Sequence, residues 1–281
     1  MKNILLLTAV LTGFYSNAQC DTTKHKEAWR NGSYVEGWYA CEQRTGTWKF
    51  YDKEDKLLRI ENYSKGSLNG ERSQMYPNGQ QKSLEIWVDG KLDKTAQYWA
   101  ENGTMIEETN YNNGELEGVS KKWFENGRMQ SMTTYVNGKK TGPYEIYYEN
   151  GNLKEKGVFE NGEPKGTIKS YFENGKLSSE INYENGIQHG SYTTFFDNGS
   201  VSVKGTYEKG IQVGLWNIYH VNGQMISNGN YVDGSKDGEW EEYFPSGNPK
   251  SKGVYVKGEK IDVWYEWTEG GKKSKTKHES N

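Results

Sequence analysis

The sequence predicts an all-β chain, an elongated array of antiparallel β-hairpins, and three observations carry that reading. A glycine recurs every 24 residues at Gly46, Gly70, Gly118, Gly142, Gly166, Gly190, Gly214 and Gly238, with Lys94 and Asp262 on the missing beats. Two further registers keep the same step: Asn-Gly or a close relative ending at Gly79 through Gly271, and another glycine from Gly66 through Gly258. Aromatic residues make 14% of the chain, which lifts a sequence with only 33% apolar residues and a mean hydropathy of -1.01 away from disorder and toward strands. A fixed period of this size marks a supersecondary unit that buries its apolar face only by stacking on its neighbours. Function is therefore expected on an extended surface.

The N-terminus reads as a secretory signal over residues 1–19, with Lys2 as the positive region, Ile4 to Leu11 with Phe14 as the apolar stretch, and Ser16-Asn17-Ala18-Gln19 as the cleavage zone. Export to the periplasm, cell surface or medium follows from it. Cys20 then has three readings: acylated as in a lipoprotein, bonded to Cys41 in a disulfide, or free. Gln19 sits where a lipoprotein usually has Gly or Ala, which disfavours the first. Residues 20–45 form a degenerate lead-in in which Tyr39 takes an end-of-strand position. The repeats occupy 46–271, about nine and a half units, and 272–281 is a Lys-rich tail. Atypical end units are expected where one side has no neighbour.

The unit Gly142 to Lys165 shows the local logic. Pro143 to Glu149 is strand-like, Asn150-Gly151 is a strong hairpin signal, Leu153 to Phe159 returns, and Glu160 to Gly166 is a second, wider turn. With Asn150-Gly151 as a two-residue loop, Tyr148 faces Leu153, Ile146 faces Glu155 and Tyr144 faces Gly157. Large residues then face glycines in several repeats: Tyr144 with Gly157, Tyr192 with Gly205, Trp216 with Gly229, Trp240 with Gly253. Arg72 with Glu85 replaces packing by opposite charge, and Trp48 with Glu61 is an exception. The packed face also takes Tyr63, Trp87, Tyr111, Tyr135, Phe159 and their successors, beside Met105, Met129, Leu153, Leu177, Val201 and Met225. The opposite face is polar except for one line: Tyr51, Met75, Trp99, Trp123, Tyr147, Tyr171, Phe195, Tyr219, Tyr243 and Trp267.

At Tyr183-Glu-Asn-Gly186-Ile-Gln-His189-Gly190-Ser-Tyr192 the pattern resembles the MORN repeat: an aromatic, a glycine three later, a second glycine four beyond, then an aromatic. The whole pattern returns at Tyr207, Gly210, Gly214 and Trp216. The Asn-Gly turn and the 24-residue step are most similar to the bacterial MORN variant, over nearly all of residues 37 to 271. The resemblance implies a hairpin array serving as a scaffold, a membrane-associated module or an accessory repeat. Some members of that family are antitoxins of toxin-antitoxin modules, which implies a toxin-like protein as one class of partner.

Chemistry is scarce. His25, His189, His220 and His278 have no metal-ligand spacing, and Glu107-Glu108 and Glu241-Glu242 point to opposite faces of a strand. Neither cysteine is patterned with a histidine as an activated nucleophile. A net charge of -3 with interspersed signs gives no field for nucleic acid, and no basic face for a membrane. No catalytic residue, metal or cofactor is expected. The candidate binding residues are Trp99, Trp123, Tyr147, Tyr171, Phe195, Tyr219 and Tyr243, which serve either to pack neighbouring repeats or to contact a ligand. The expected function is a non-enzymatic exported surface for a protein partner, antitoxin-like or immunity-like in character. Binding of a cell-wall glycan through the aromatic ridge is the alternative.

Overall fold

The computed structural model describes residues 20–278, so the expected signal segment lies outside the described residues. The described residues form 24 strands and no helix, from β1 (Thr22–Ala28) to β24 (Lys273–His278). All lie in one open antiparallel sheet in which neighbours along the chain pair, except at two broken strands. There β7 (Lys91–Leu92) and β8 (Lys94–Trp99) are halves of one strand against β6 (Gln81–Val88), and β10 (Glu115–Leu116) and β11 (Gly118–Trp123) are halves of one strand against β9 (Met105–Asn112). The all-β hairpin array is thus borne out. Lys273–His278, read from the sequence as part of a tail, completes the last hairpin against β23 (Glu259–Trp267).

Within the unit made by β13 (Lys139–Tyr147), β14 (Leu153–Glu160) and β15 (Glu163–Tyr171), the two turns are the reverse of the expected ones. The tight two-residue turn is Asn161-Gly162: both residues have positive φ, +53° and +96°, and Glu160 pairs with Glu163. That geometry is a type I′ turn, whose twist matches the strands it joins. Asn150-Gly151 belongs to the wider loop. There the Gly151 N–H donates to the Tyr148 carbonyl at 2.9 Å, and the Tyr148 N–H donates to the Asn152 carbonyl at 2.8 Å. Asn150 keeps an ordinary φ because its Oδ1 accepts the Asn152 N–H at 2.8 Å, leaving only Gly151 in the left-handed region.

That loop corrects the register at one end of the hairpin. Tyr144 pairs with Gly157 and Ile146 with Glu155 as expected, but a bulge follows, and Leu153 pairs with Tyr147 instead of Tyr148. One extra residue on the return strand moves Leu153 to the opposite face. Met105, Met129, Leu177, Val201 and Met225 move with it, pairing with Trp99, Trp123, Tyr171, Phe195 and Tyr219.

A second correction concerns the rings over glycines. Trp216 pairs with Gly229 in the hairpin register, yet its indole lies over Gly205 on the preceding strand. Trp240 likewise covers Gly229, Trp264 covers Gly253, and Trp48 covers Gly37, each leaving no room for a methyl group. Trp48 therefore ceases to be an exception. These rings form an edge-to-face ladder with the end-of-strand tyrosines, from Tyr207 through Trp216, Tyr231, Trp240 and Tyr255 to Trp264 at centroid distances of 4.9–6.1 Å. Between the aromatic ends the packed face turns polar. Arg72 bridges Glu61 at 3.0 Å and Glu85 at 2.9 Å, and both carboxylates are only 5% exposed.

The 24-residue beat is itself a bulge. Thr133 pairs with Tyr144 and Thr134 with Thr141, so Gly142, at φ +66°, has no partner on the preceding strand. Lys94 and Asp262 hold the same conformation at φ +64° and +56° without a glycine.

Neighbouring units are fastened at both hairpin ends. At the type I′ end, the Gly162 N–H donates to the Lys140 carbonyl at 2.8 Å, and equivalent bonds run from Gly66 to Gly258. At the other end, Asn78 Nδ2 donates to the Glu101 carbonyl, Asn150 to that of Glu173, and Asn198 to that of Val221, at 2.9–3.1 Å. The recurrent asparagine thus folds its own turn with Oδ1 and holds the next turn with Nδ2.

Candidate functional site: an aromatic and aliphatic stripe

The bulge that moves Leu153 also builds the site. On the face opposite the ladder, aromatic and aliphatic residues alternate strand by strand: Tyr51 with Leu57, Trp99 with Met105, Trp123 with Met129, Tyr147 with Leu153, Tyr171 with Leu177, Phe195 with Val201 and Tyr219 with Met225. Met75, on the line between Tyr51 and Trp99, pairs with Gln81, so the alternation is unbroken only from Trp99 to Met225; beyond it Tyr243 pairs with Pro249 and Trp267 with Lys273. Directly paired residues share a face. All seven sequence candidates, Trp99, Trp123, Tyr147, Tyr171, Phe195, Tyr219 and Tyr243, lie on this stripe, half-buried. With strands about 4.8 Å apart, ten repeats would carry it on the order of 95 Å if flat.

Spacing explains why the rings are only half-buried. Neighbouring aromatics are two strands, about 9.6 Å, apart, too far for direct stacking, so the aliphatic partner fills each interval. A polar row borders the stripe two residues back along each strand. Glu145 accepts the Tyr147 hydroxyl and Glu241 accepts that of Tyr243. Each bond favours the neutral phenol beside a carboxylate, and with partial burial it pushes the tyrosine up to about 12. Lys252 bridges Glu241 at 2.7 Å, which holds that carboxyl below its ordinary range. Lys169 pairs with Glu180 on the same row, and its ammonium is raised by that bond.

The sequence reading missed the aliphatic half of the stripe and the ion pairs of its polar border. Alternation alone places Leu153 on the other side, and only the bulge reverses it. The spacing of Glu145 and Tyr147, two apart on a strand, was visible.

Elsewhere the structure separates the groups that chemistry would have to join. His25 contacts Tyr39 edge-on at 5.1 Å, His278 lies 6.5 Å from Trp264, His189 is 3.7 Å from Glu184, and the His220 backbone closes a turn with Gln224. Cys20 and Cys41 are joined as a disulfide with Cα atoms 5.4 Å apart. An open cleft beside the Asn161 and Asn185 turns carries Glu160, Glu163, Glu184 and His189. Among the described residues no group of three or more His, Cys, Asp or Glu is arranged to hold a metal ion, and no helix is long and apolar enough to cross a membrane.

The MORN repeat variant matches seven segments of the chain, 44–65, 92–113, 116–137, 140–161, 164–185, 188–209 and 236–257, more than half of its length. The chain belongs to the MORN repeat variant family. Most matched segments run from one type I′ turn to the next, so the MORN unit coincides with the structural unit. The interval left unmatched after residue 65 holds Arg72 and Glu85, where charge replaces an aromatic. MORN repeats are a non-enzymatic family that serves protein and membrane interaction. No curated protein matches the chain. A chain of the TcdB2-TccC3-Cdc42 crystal structure aligns over 88% of this chain and 14% of its own length, at 11% identity and a TM-score of 0.20, a level that carries no argument.

Proposed function

We propose that this MORN array is an exported, non-enzymatic module whose stripe is the docking surface for a protein partner. The observation that carries the reading is the strand-by-strand pairing of aromatic and aliphatic residues, which makes one continuous apolar band with a charged border. An apolar centre with a polar rim is the anatomy of a protein interface. Separate flat ring platforms would suit a glycan better, and here Met, Leu and Val fill the intervals. Export is supported by the signal-like N-terminus and by the Cys20–Cys41 disulfide, since disulfides persist in oxidising compartments. A toxin-like partner remains one class within this reading.

Photo-crosslinking from position 123 on the stripe and position 140 on the packed face tests it in cells. The expected result is one protein, identified by mass spectrometry, captured from position 123 and lost with Trp99→Asp. Equal capture from both faces would overturn the reading. Retention on purified cell-wall polysaccharide that drops with Trp99→Ala and Trp123→Ala would replace it with the glycan alternative.

A further inference from the structure

Among the described residues the sheet has two open edges, and its strand count makes them complementary. Direction alternates from one strand position to the next, and with β7–β8 and β10–β11 each a single broken strand the 24 strands fill 22 positions, an even number, so β24 runs antiparallel to β1. A second copy placed beyond β24 would therefore present its β1 in the same antiparallel sense as any internal pair. Both edges carry unpaired main-chain donors and acceptors along six or seven residues, which is a template for end-to-end growth. Such a contact is heterologous and does not close, so it would build a fibre.

The side chains on those edges oppose that outcome. On β24, Lys273, Lys275 and Lys277 pair with Trp267, Tyr265 and Val263, on the face that carries the stripe. On β1, Lys24 pairs with Trp38 and Lys26 with Glu36, two residues along from the Ala28 pair with Tyr34, which in turn faces Tyr51 of the stripe. All five lysines are exposed and lie on one face of the sheet. Joining the two edges would set them side by side across one strand pair, about 5 Å apart, where like charges destabilise the pairing. On the other face the edges carry Thr23, His25 and Glu27 against Ser274, Thr276 and His278, which offer no comparable opposition.

We propose that these lysines form a charge barrier at the two ends of the array, and that the partner they exclude is a second copy of this chain. The barrier leaves the internal strands unaffected, because only the end strands carry consecutive alternating lysines toward an empty neighbour position. It keeps the stripe a unit of fixed length.

Charge inversion at one end tests the proposal. Lys273→Glu with Lys275→Glu and Lys277→Glu should convert repulsion into attraction and give end-to-end rods by electron microscopy. The association constant by sedimentation should rise roughly ten-fold or more, from two or three reversed cross-strand pairs, and fall again with added salt. Adding Lys24→Glu and Lys26→Glu should restore the wild-type sedimentation. If the first variant associates no more than wild type, or the second as much as the first, the proposal is overturned. Should either lose its strand signal in circular dichroism, all five lysines changed to Gln give the same decision: more association than wild type at low salt supports the barrier, and equal association removes it.

Discussion

Gly229→Ala isolates the contact on which the aromatic ladder depends. A methyl group built there would lie 2.2, 2.3 and 2.5 Å from Cδ2, Cε2 and Cγ of Trp240. Carbon atoms rest at about 3.5–4.0 Å, so the ring must retreat by about 1.5 Å. It has little freedom to do so. Trp240 is 2% exposed, its Nε1 donates to the Asn230 carbonyl at 3.0 Å, its edges meet Tyr231 and Tyr255, and Lys236 Nζ sits 4.1 Å above its centroid. Overpacking of a fitted core costs about 1–3 kcal/mol and the hydrogen bond about 1 kcal/mol more, so the expected loss is about 2–4 kcal/mol. Gly229 itself has an ordinary φ, so no backbone penalty contributes. Gly238→Ala is the control: nothing lies within 4 Å of its added methyl, but φ is +79°, which predicts a cost of about 1–2 kcal/mol from conformation alone. Because repeat arrays open locally, the assay is hydrogen exchange on strands Met225–Val232 and Ser235–Tyr243 alongside thermal unfolding. Trp240→Leu should partly rescue Gly229→Ala, with a coupling of about 1 kcal/mol or more. A loss smaller than that of Gly238→Ala, or strict additivity in the double variant, would refute the collision.

Other perturbations follow from the same geometry. Asn78→Asp keeps the acceptor for the Gln80 N–H but loses the donor to the Glu101 carbonyl, and should cost about 1 kcal/mol locally, read as faster exchange at the Glu101 turn with little change elsewhere. Lys94→Gly relieves a left-handed lysine and should raise stability by about 0.5–1 kcal/mol after the added chain entropy, seen as a higher melting temperature. Arg72→Met leaves Glu85 buried without the cation it pairs with, while Glu61 keeps Arg59 at 3.0 Å, and should cost about 3 kcal/mol in denaturant unfolding. The tyrosines predict the alkaline limit. Tyr147 and Tyr243 bind their protons more tightly folded than unfolded, so the stability they contribute is complete below about pH 10 and is lost as pH rises through about 12. Tyrosinate absorbance and melting followed together should show both changes in that window, and Glu145→Gln should move the Tyr147 titration down.

Much of the fold was legible before any coordinates because each unit repeats its local chemistry ten times. The hairpin register at Tyr144 and Gly157 followed from size complementarity, and the line from Trp99 to Tyr243 followed from strand alternation. The two turns were exchanged because Asn-Gly serves both, as a type I′ pair at Asn161-Gly162 and as the end of a wider loop at Asn150-Gly151. Composition does not separate them; the backbone hydrogen bonds do. The aliphatic half of the stripe was hidden by a bulge, which reverses alternation without a distinctive residue to announce it.

By itself the sequence determined the period, the hairpins, the two faces and the aromatic line, since all of these depend on spacing along the chain. Tertiary structure decided which neighbour each residue meets across the chain. In a 24-residue repeat, the glycine 13 positions after one tryptophan is also the glycine 11 positions before the next, so Gly229 belongs equally to Trp216 and Trp240 as a matter of counting. The placement of the indole, set by strand twist and the direction of the Cα–Cβ bond, gives it to Trp240. The first unit breaks this degeneracy, because Trp48 has Gly37 before it and Glu61 after it. Trp264, with Gly253 before it and Lys277 after it, reads the same way, so what looked like an exception at Trp48 was one of two tryptophans that state the packing rule directly.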